Sequence, residues 1–333
     1  MTRRPTLDTM PGASGGEEHA RDTATVGLAA VAVTVSENEP KVLVIRADGA
    51  DELPSGPLEP QHRTLESGLR TWVETQTSQK LGYVEQLYTF GDRNRQPDAD
   101  RARVLSIGYL ALVREAHPDG SRDAEWHDWY RYFPWEDWRD EKPEILAPIV
   151  DALRCWADAA ANTEEKRTRE ARGQVAFGYG SARWNDERVL ERYELLYEVG
   201  LVPEAHRDRA TVWAKASEVV PGADAMAADH RRILATAIAR LRGKIKYRPV
   251  VFELMPPTFT LSRLQRTVEA LAGLRLHAPN FRRLVETQGL VEETGTVSGE
   301  TGGRPARLVR FRREVLVERP APGVRLPLSR RGR

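Results

Sequence analysis

Four side chains near the C-terminus carry groups that could read nucleic acid. Asn280, Arg282, Arg283 and Thr287 lie outward on a predicted helix, Pro279–Gln288, whose Phe281, Leu284 and Val285 fall on the opposite face at about 100° per residue. A guanidinium meets guanine O6 and N7 with two parallel hydrogen bonds, and a carboxamide meets adenine N6 and N7 likewise. Each good pair gives about 1–3 kcal/mol of discrimination between bases. Any solvated helix can carry such residues, so their setting decides. Here Arg304 and Arg307 stand in and beside the run Gly302-Gly303-Arg304-Pro305, where missing side chains let a backbone and a guanidinium approach a narrow minor groove. Lys244, Lys246 and Arg248 are of the type that neutralises phosphates and positions a protein without reading sequence. From residue 240 to 333 there are 20 Lys and Arg against 8 Glu and no Asp, a balance of +12. The first 239 residues hold 30 basic and 41 acidic side chains, a balance of −11, so the overall +1 conceals a basic module suited to a polyanion.

The elements that must hold this helix follow the order of a winged helix-turn-helix. Helical periodicity runs to about Tyr247, and Pro256-Pro-Thr-Phe-Thr260 interrupts it. Thr260 is placed to cap Leu261–Leu271 and is a further candidate for DNA contact. Gly273–His277 turns the chain, Pro279 suits a first helical turn, and Gly289 ends the helix. Leu290–Glu293, a glycine-rich loop and a strand at Arg307–Arg313 complete a hairpin.

Upstream, Thr25–Val35 and Lys41–Ile45 read as a strand hairpin. A helix follows at Thr64–Gln76, with Leu65, Leu69, Trp72 and Val73 at i, i+4, i+7 and i+8. Strands are expected at Val84–Phe90 and Val104–Val113, an aromatic block at Trp126–Trp138, and a helix at Glu144–Ala160. Glu164–Arg172 reads as a solvated helix or linker, and residues 186–201 and 208–242 are helical in period, with Gly200 ending the first. The division expected is a tail at 1–22, an α+β domain at 23–160, a helical connector at 161–232, a winged helix at 233–318 and a basic tail at 319–333. The single Cys155 rules out an internal disulfide framework and a cysteine-based zinc finger. No apolar run approaches the roughly 18 residues of a membrane span, and the first residues lack a signal peptide's apolar core. The expectation is a cytoplasmic protein with no membrane partner.

The segment from Gly56 to Thr77 resembles the Nudix hydrolase box, G-x5-E-x7-R-E-U-x-E-E-x-G-U, in spacing. Gly56, Arg70 and Glu74 match, Trp72 takes the bulky apolar position, and His62, Thr71, Thr75 and Thr77 replace three glutamates and a glycine. Cleavage of a diphosphate in that family needs hard divalent cations held by several carboxylates. Here the helix face at 71, 74 and 75 offers Thr, Glu, Thr, with Glu66 two turns back as the partial substitute. The resemblance implies a Nudix-like α/β/α sandwich that binds a nucleotide without turning it over. A Mg²⁺-dependent hydrolase of ADP-ribose or NAD is the alternative.

The two halves together resemble the Nudix-related regulators of NAD metabolism, the NrtR and NadQ kind. The resemblance rests on the box, Glu85-Gln-Leu-Tyr-Thr-Phe-Gly-Asp92, Met255-Pro-Pro-Thr-Phe-Thr-Leu261 with Leu264-Gln265, Pro279-Asn-Phe-Arg-Arg283 and Gly303-Arg-Pro-Ala306. It covers roughly residues 25–150 and 235–313 and leaves the helical stretch 164–232 as a departure, as in the longer NadQ-like branch. It implies a homodimeric repressor of NAD-biosynthesis genes that binds a double-stranded operator and responds to NAD, ADP-ribose or an ATP-like nucleotide. It also places Gln86, Tyr88 and Phe90 near that nucleotide, on one face of a strand, where the rings either stack on a base or are ordinary core. Arg70 and Arg103 either neutralise a pyrophosphate or, for Arg70, pair with Glu66 or Glu74. Glu74 completes the expected effector-binding set. The block Trp126–Trp138 reads as a domain edge or interface before a ligand platform. His62 lacks a second histidine for a metal, and no base can be assigned to Ser181.

Overall fold

A computed structural model describes residues 24–47, 49–92, 104–114, 124–208, 212–215, 219–220, 222–298, 305–318 and 323–324. The expected N-terminal tail, Arg103, Arg304 and all of the basic tail except 323–324 lie outside the described residues. Ten strands and nine α-helices are used below. They begin with β1 (Thr25–Ser36), β2 (Glu39–Ala47), β3 (Ala50–Glu52), β4 (Ser55–Pro57), α1 (Leu65–Thr77), β5 (Tyr83–Phe90), β6 (Val104–Leu112) and β7 (Ala124–Asp128). These strands form one mixed sheet in the order β3-β2-β1-β6-β5, with β4 on β1 and β7 on β2. β1 and β6 run parallel from Thr25↔Val104 to Val33↔Leu112, and the other pairings are antiparallel.

Both faces of β1 are buried because its apolar run never alternates with polar residues. Leu28, Ala30 and Ala32 face α1 through Leu69 and Val73, whereas Ala29, Val31 and Val33 join the larger core. α1 starts where expected: the Thr64 and Ser67 side chains and backbones bond reciprocally in a capping box.

Helices α2 (Leu146–Asp158), α3 (Thr163–Phe177), α4 (Val189–Val199) and α5 (Pro203–Arg207) follow. The helix expected from 208 to 242 begins only at His230, as α6 (His230–Tyr247). The described residues between 208 and 229 form turns and extended chain, and Arg207 donates to the carbonyls of Met226 and Ala228 within them. α6 runs unbroken through position 232, where a connector was expected to give way to the winged helix. It packs on β1, β5 and β6 and so supplies a helical layer for the sheet's second face.

The winged helix comprises a short 3₁₀ segment (Val250–Leu254), β8 (Phe259–Thr260), α7 (Leu261–Ala272), α8 (Ala278–Thr287), β9 (Val291–Ser298) and β10 (Ala306–Phe311), followed by α9 (Val315–Glu318). Its sheet has the order β8-β10-β9. Thr260 caps α7 by accepting from the Arg263 amide at 3.1 Å, and Pro279 occupies the first turn of α8.

The aromatic block is the junction of the whole molecule. Trp129, Tyr130, Tyr132, Phe133 and Trp135 are buried. Among them Glu136, fully buried, accepts from two fully buried guanidiniums. Arg192 of α4 donates through Nε and Nη2, and Arg242 of α6 through Nη1 at 2.6 Å. Their remaining donors go to carbonyls and, from Arg242 Nη2, to the Tyr130 hydroxyl at 3.3 Å. Arg192 reaches Ala176 and Asn185, and Arg242 reaches Leu271 and Asp186. A second buried pair, Arg231–Glu204 at 3.1 Å, is tied to the Tyr132 carbonyl.

Glu136→Ala leaves two buried guanidiniums facing one another without an anion, and stability should fall by about 3–5 kcal/mol, read as a lower urea midpoint. His230 gives a pH signature. Its Nδ1 accepts from the Leu53 amide at 3.1 Å, and burial, with help from Arg207, pushes the imidazole down to about 4. The unfolded chain therefore binds a proton between pH 6.5 and 4 that the folded chain refuses. Stability present above pH 6.5 should decline by up to about 3 kcal/mol as pH falls to 4, and His230→Gln should flatten that part of the profile.

Candidate nucleic-acid interface and nucleotide face

On α8 the apolar period fixes what faces out. Phe281 and Val285 are buried, while Asn280, Arg282, Arg283 and Thr287 are exposed. Neither Arg282 nor Arg283 has an ion-pair or hydrogen-bond partner for its guanidinium among the described residues. The four readers expected from sequence therefore share one open helix surface.

The lysines expected to meet phosphates are otherwise engaged. Lys244 bonds Tyr83 Oη at 2.7 Å and pairs with Glu85 on β5. Lys246 bridges Asp186 at 2.9 Å and Glu187 at 2.7 Å. Both lie on α6 and pin it to the sheet and to the start of α4. Arg248 is exposed at the end of α6. Arg307 on the wing pairs with Glu293 across β9–β10 at 2.7 Å. That pair is exposed to water, which screens it, and a phosphate can displace the carboxylate.

Sequence reading missed two arginines of α7. Arg263 and Arg266 are exposed one turn apart, and neither guanidinium has a partner among the described residues. The signal is in the helix period: Arg263 and Arg266 fall on the face opposite Leu264 and Val268.

α7 joins the winged helix to the rest of the chain. Its C-terminal carbonyls accept from outside the module: Ala270 from Tyr130 Oη at 2.7 Å, Leu271 from Arg242 Nε at 3.1 Å, and Gly273 from the Trp138 amide at 2.8 Å. Burial pushes the Tyr130 phenol up to about 12, so it remains a donor. Gly273 has φ +69°, and a Cβ there would come within 2.4 Å of the Glu136 carbonyl oxygen, so only glycine fits.

On the other side of the sheet, the residues of the decayed box are spent on structure. Gly56 lies where a Cβ would meet the Trp72 indole at 2.3 Å, and Trp72 Nε1 donates to the Pro57 carbonyl at 2.8 Å. His62, in a glutamate's position, accepts from the Glu59 amide at 3.1 Å and is shielded from solvent. Arg70 pairs with Glu66 at 2.8 Å and donates to the Leu81 and Gly82 carbonyls. It ties α1 to the following loop, and its partner Glu66 is one of the two acids that the sequence offered it. Glu74 is exposed and stands 3.7 Å from Lys80. Among the described residues no three His, Cys, Asp or Glu side chains cluster as a metal site would require.

The strand thought to present Gln86, Tyr88 and Phe90 together does not. A bulge lies between Gln86↔Tyr109 and Thr89↔Ile107, and one extra residue reverses which face follows. Gln86 lies on the α1 side, with its Oε1 3.4 Å from Tyr109 Oη. Phe90 is buried on the α6 side beneath Arg232, whose guanidinium carbon is 5.2 Å from the ring centre. Tyr88, its ring 5.4 Å from Phe90, is 62% exposed. Phe90 is core, and Gln86 is the member of the three that faces the Nudix-type helix.

Residues 251–311 match the NrtR DNA-binding winged helix domain. The C-terminal module is thus a winged helix similar to that of NrtR. Over the whole chain the fold is similar to that of Shewanella oneidensis NrtR in complex with a 27mer DNA. The TM-score is 0.52 at 20% identity, covering 88% of this chain and 95% of that one. The DNA-free structure of the same protein compares at TM-score 0.52 and 19% identity, covering 87% and 95%. The chain is also 44% identical over 86 residues to the ADPR responsive transcriptional repressor NtrR of Acinetobacter baylyi. That stretch covers 26% of this chain and spans about a third, 34%, of the relative's length. The architecture is thus that expected, an α+β domain followed by a winged helix similar to that of NrtR. No helix among the described residues is long and apolar enough to cross a membrane.

Arg283→Ala should weaken binding to a preferred duplex about 5–150-fold, the equivalent of 1–3 kcal/mol, and relax preference at one base pair. Lys246→Ala should lower thermal stability and leave DNA affinity within twofold.

Proposed function

We propose that the chain is a transcriptional repressor of NAD-biosynthesis genes whose Nudix-like domain senses an ADP-ribose-type nucleotide without hydrolysing it. The observation that carries this reading is the open arginine and asparagine surface of α8 within a module that matches the NrtR DNA-binding winged helix. The Acinetobacter relative is an ADPR responsive repressor, which favours ADP-ribose over NAD or ATP as the effector. The donor set favours sensing over turnover: the exposed face of α1 carries Thr71, Glu74 and Thr75, and one carboxylate does not hold the cations that diphosphate cleavage demands.

As a homodimer the protein would present two α8 helices to half-sites at fixed spacing. A nucleotide that favours one relative placement of the winged helices then changes operator affinity, by no more than its own preference for that placement. Connection between the two parts exists in the bonds from Tyr130, Arg242 and Trp138 to the end of α7.

ADP-ribose should raise the melting temperature of the purified protein and shift its affinity for a duplex selected from a random pool. With Mg²⁺ present, the nucleotide should be recovered intact. Turnover at or above about 1 s⁻¹, the low end for ordinary enzymes, would assign the domain to hydrolysis instead.

A further inference from the structure

We infer that Arg263 and Arg266 on α7 form a phosphate-gripping site for the backbone of duplex DNA, separate from the base-reading surface of α8; this rests on the DNA-binding reading above. The argument starts from what the basic charge of the module is doing. Lys244 and Lys246 are held by Glu85, Asp186 and Glu187, and Arg242 is buried on Glu136. Arg275 pairs with Asp140 and Glu269, Arg307 with Glu293, Arg310 with Glu292 and Arg312 with Glu318. Much of the positive balance is thereby neutralised locally. The guanidiniums of Arg263 and Arg266, like those of Arg282 and Arg283, remain exposed without an acidic partner among the described residues.

The placement of the pair explains why it suits the backbone. α7 is divided along its length. Every residue from Thr267 to Ala272 is buried, and the carbonyls at that end are bonded to Tyr130, Arg242 and Trp138. The first half, with Arg263 and Arg266, is the exposed half. It begins at Thr260, which pairs with Leu308 of β10, so the arginines stand at the root of the wing. In a helix-turn-helix the helix before the reader crosses the DNA backbone while the reader enters the major groove, and α7 is that helix. Its outward arginines therefore meet phosphates. The rigid seat of the other end fixes where they stand, and little side-chain order beyond the guanidiniums themselves is required on binding. Phosphate contacts carry no sequence information, so this site contributes affinity and register, and the preference for particular bases stays with α8.

The test is the salt dependence of binding to a duplex selected from a random-sequence pool and to a scrambled duplex of the same composition. Each phosphate contact contributes about 0.9 to the slope of log affinity against log salt. The double variant Arg263→Ala/Arg266→Ala should lose about two units of slope on both duplexes. The ratio of the two affinities should stay within twofold, and the doubly lysine-substituted chain should recover the slope. Both positions are exposed, so melting temperature should be unchanged. A double variant that keeps the wild-type slope while the wild type binds DNA would overturn the site. So would a loss confined to the selected duplex, since that is base reading. Preferential binding of a structured RNA, with the same loss of slope, would overturn its assignment to duplex DNA. A wild type that binds no duplex would remove the proposed function itself, a result distinguishable from all of these.

Discussion

One carboxylate organises the meeting of the two halves of this protein. Glu136 sits among buried aromatic rings and accepts from Arg192 and Arg242, which arrive from α4 and α6. A single bonded anion against two cations leaves an excess positive charge in the interior, and the donors left over are taken up by main-chain carbonyls. Those carbonyls come from the end of α3, from the turn before α4 and from the last turn of α7. The consequence is geometric. Guanidinium planes are rigid forks, so fixing one carboxylate fixes the separation of three helices and of the winged module that the last of them belongs to.

Removing either charge from such a set costs more than the set contributes, which makes it a device for position more than for stability. That distinction suits a regulator. The neighbouring Arg231–Glu204 pair repeats the pattern at the start of α6, so this helix is held by buried charge at both ends and by apolar packing between. Through Arg242 this helix also touches the last turn of α7, so the sheet's helical layer and the winged module share one set of bonds.

Much of the outline was legible from the residues alone. β1 announced itself through an unbroken apolar run, α1 through its apolar period, and α7 and α8 through apolar period bounded by Thr260, Gly273 and Pro279. What failed did so for nameable reasons. Among the described residues between 208 and 229, the carbonyls of Met226 and Ala228 accept from the Arg207 guanidinium, a long-range partner that no local window reveals. The pairing of Lys244 and Lys246 was hidden because sequence shows charge and not partners, and their acids lie on β5 and near α4. The exposed face of α8 was legible because a helix has one outward face, whereas the faces of Gln86, Tyr88 and Phe90 were misread because alternation holds only until a bulge interrupts it.

That bulge lets β5 hold one residue more than its partner strand requires. Gln86 and Phe90 are an even number of residues apart yet point to opposite sides. Loss of one residue between Gln86 and Thr89 would leave Thr89 opposite Ile107 and Phe90 opposite Ser106, so the faces beyond the bulge would stay as they are. The ring under Arg232 is held there by the register after the bulge, and this point of the strand absorbs a single-residue deletion that elsewhere would turn every later side chain over.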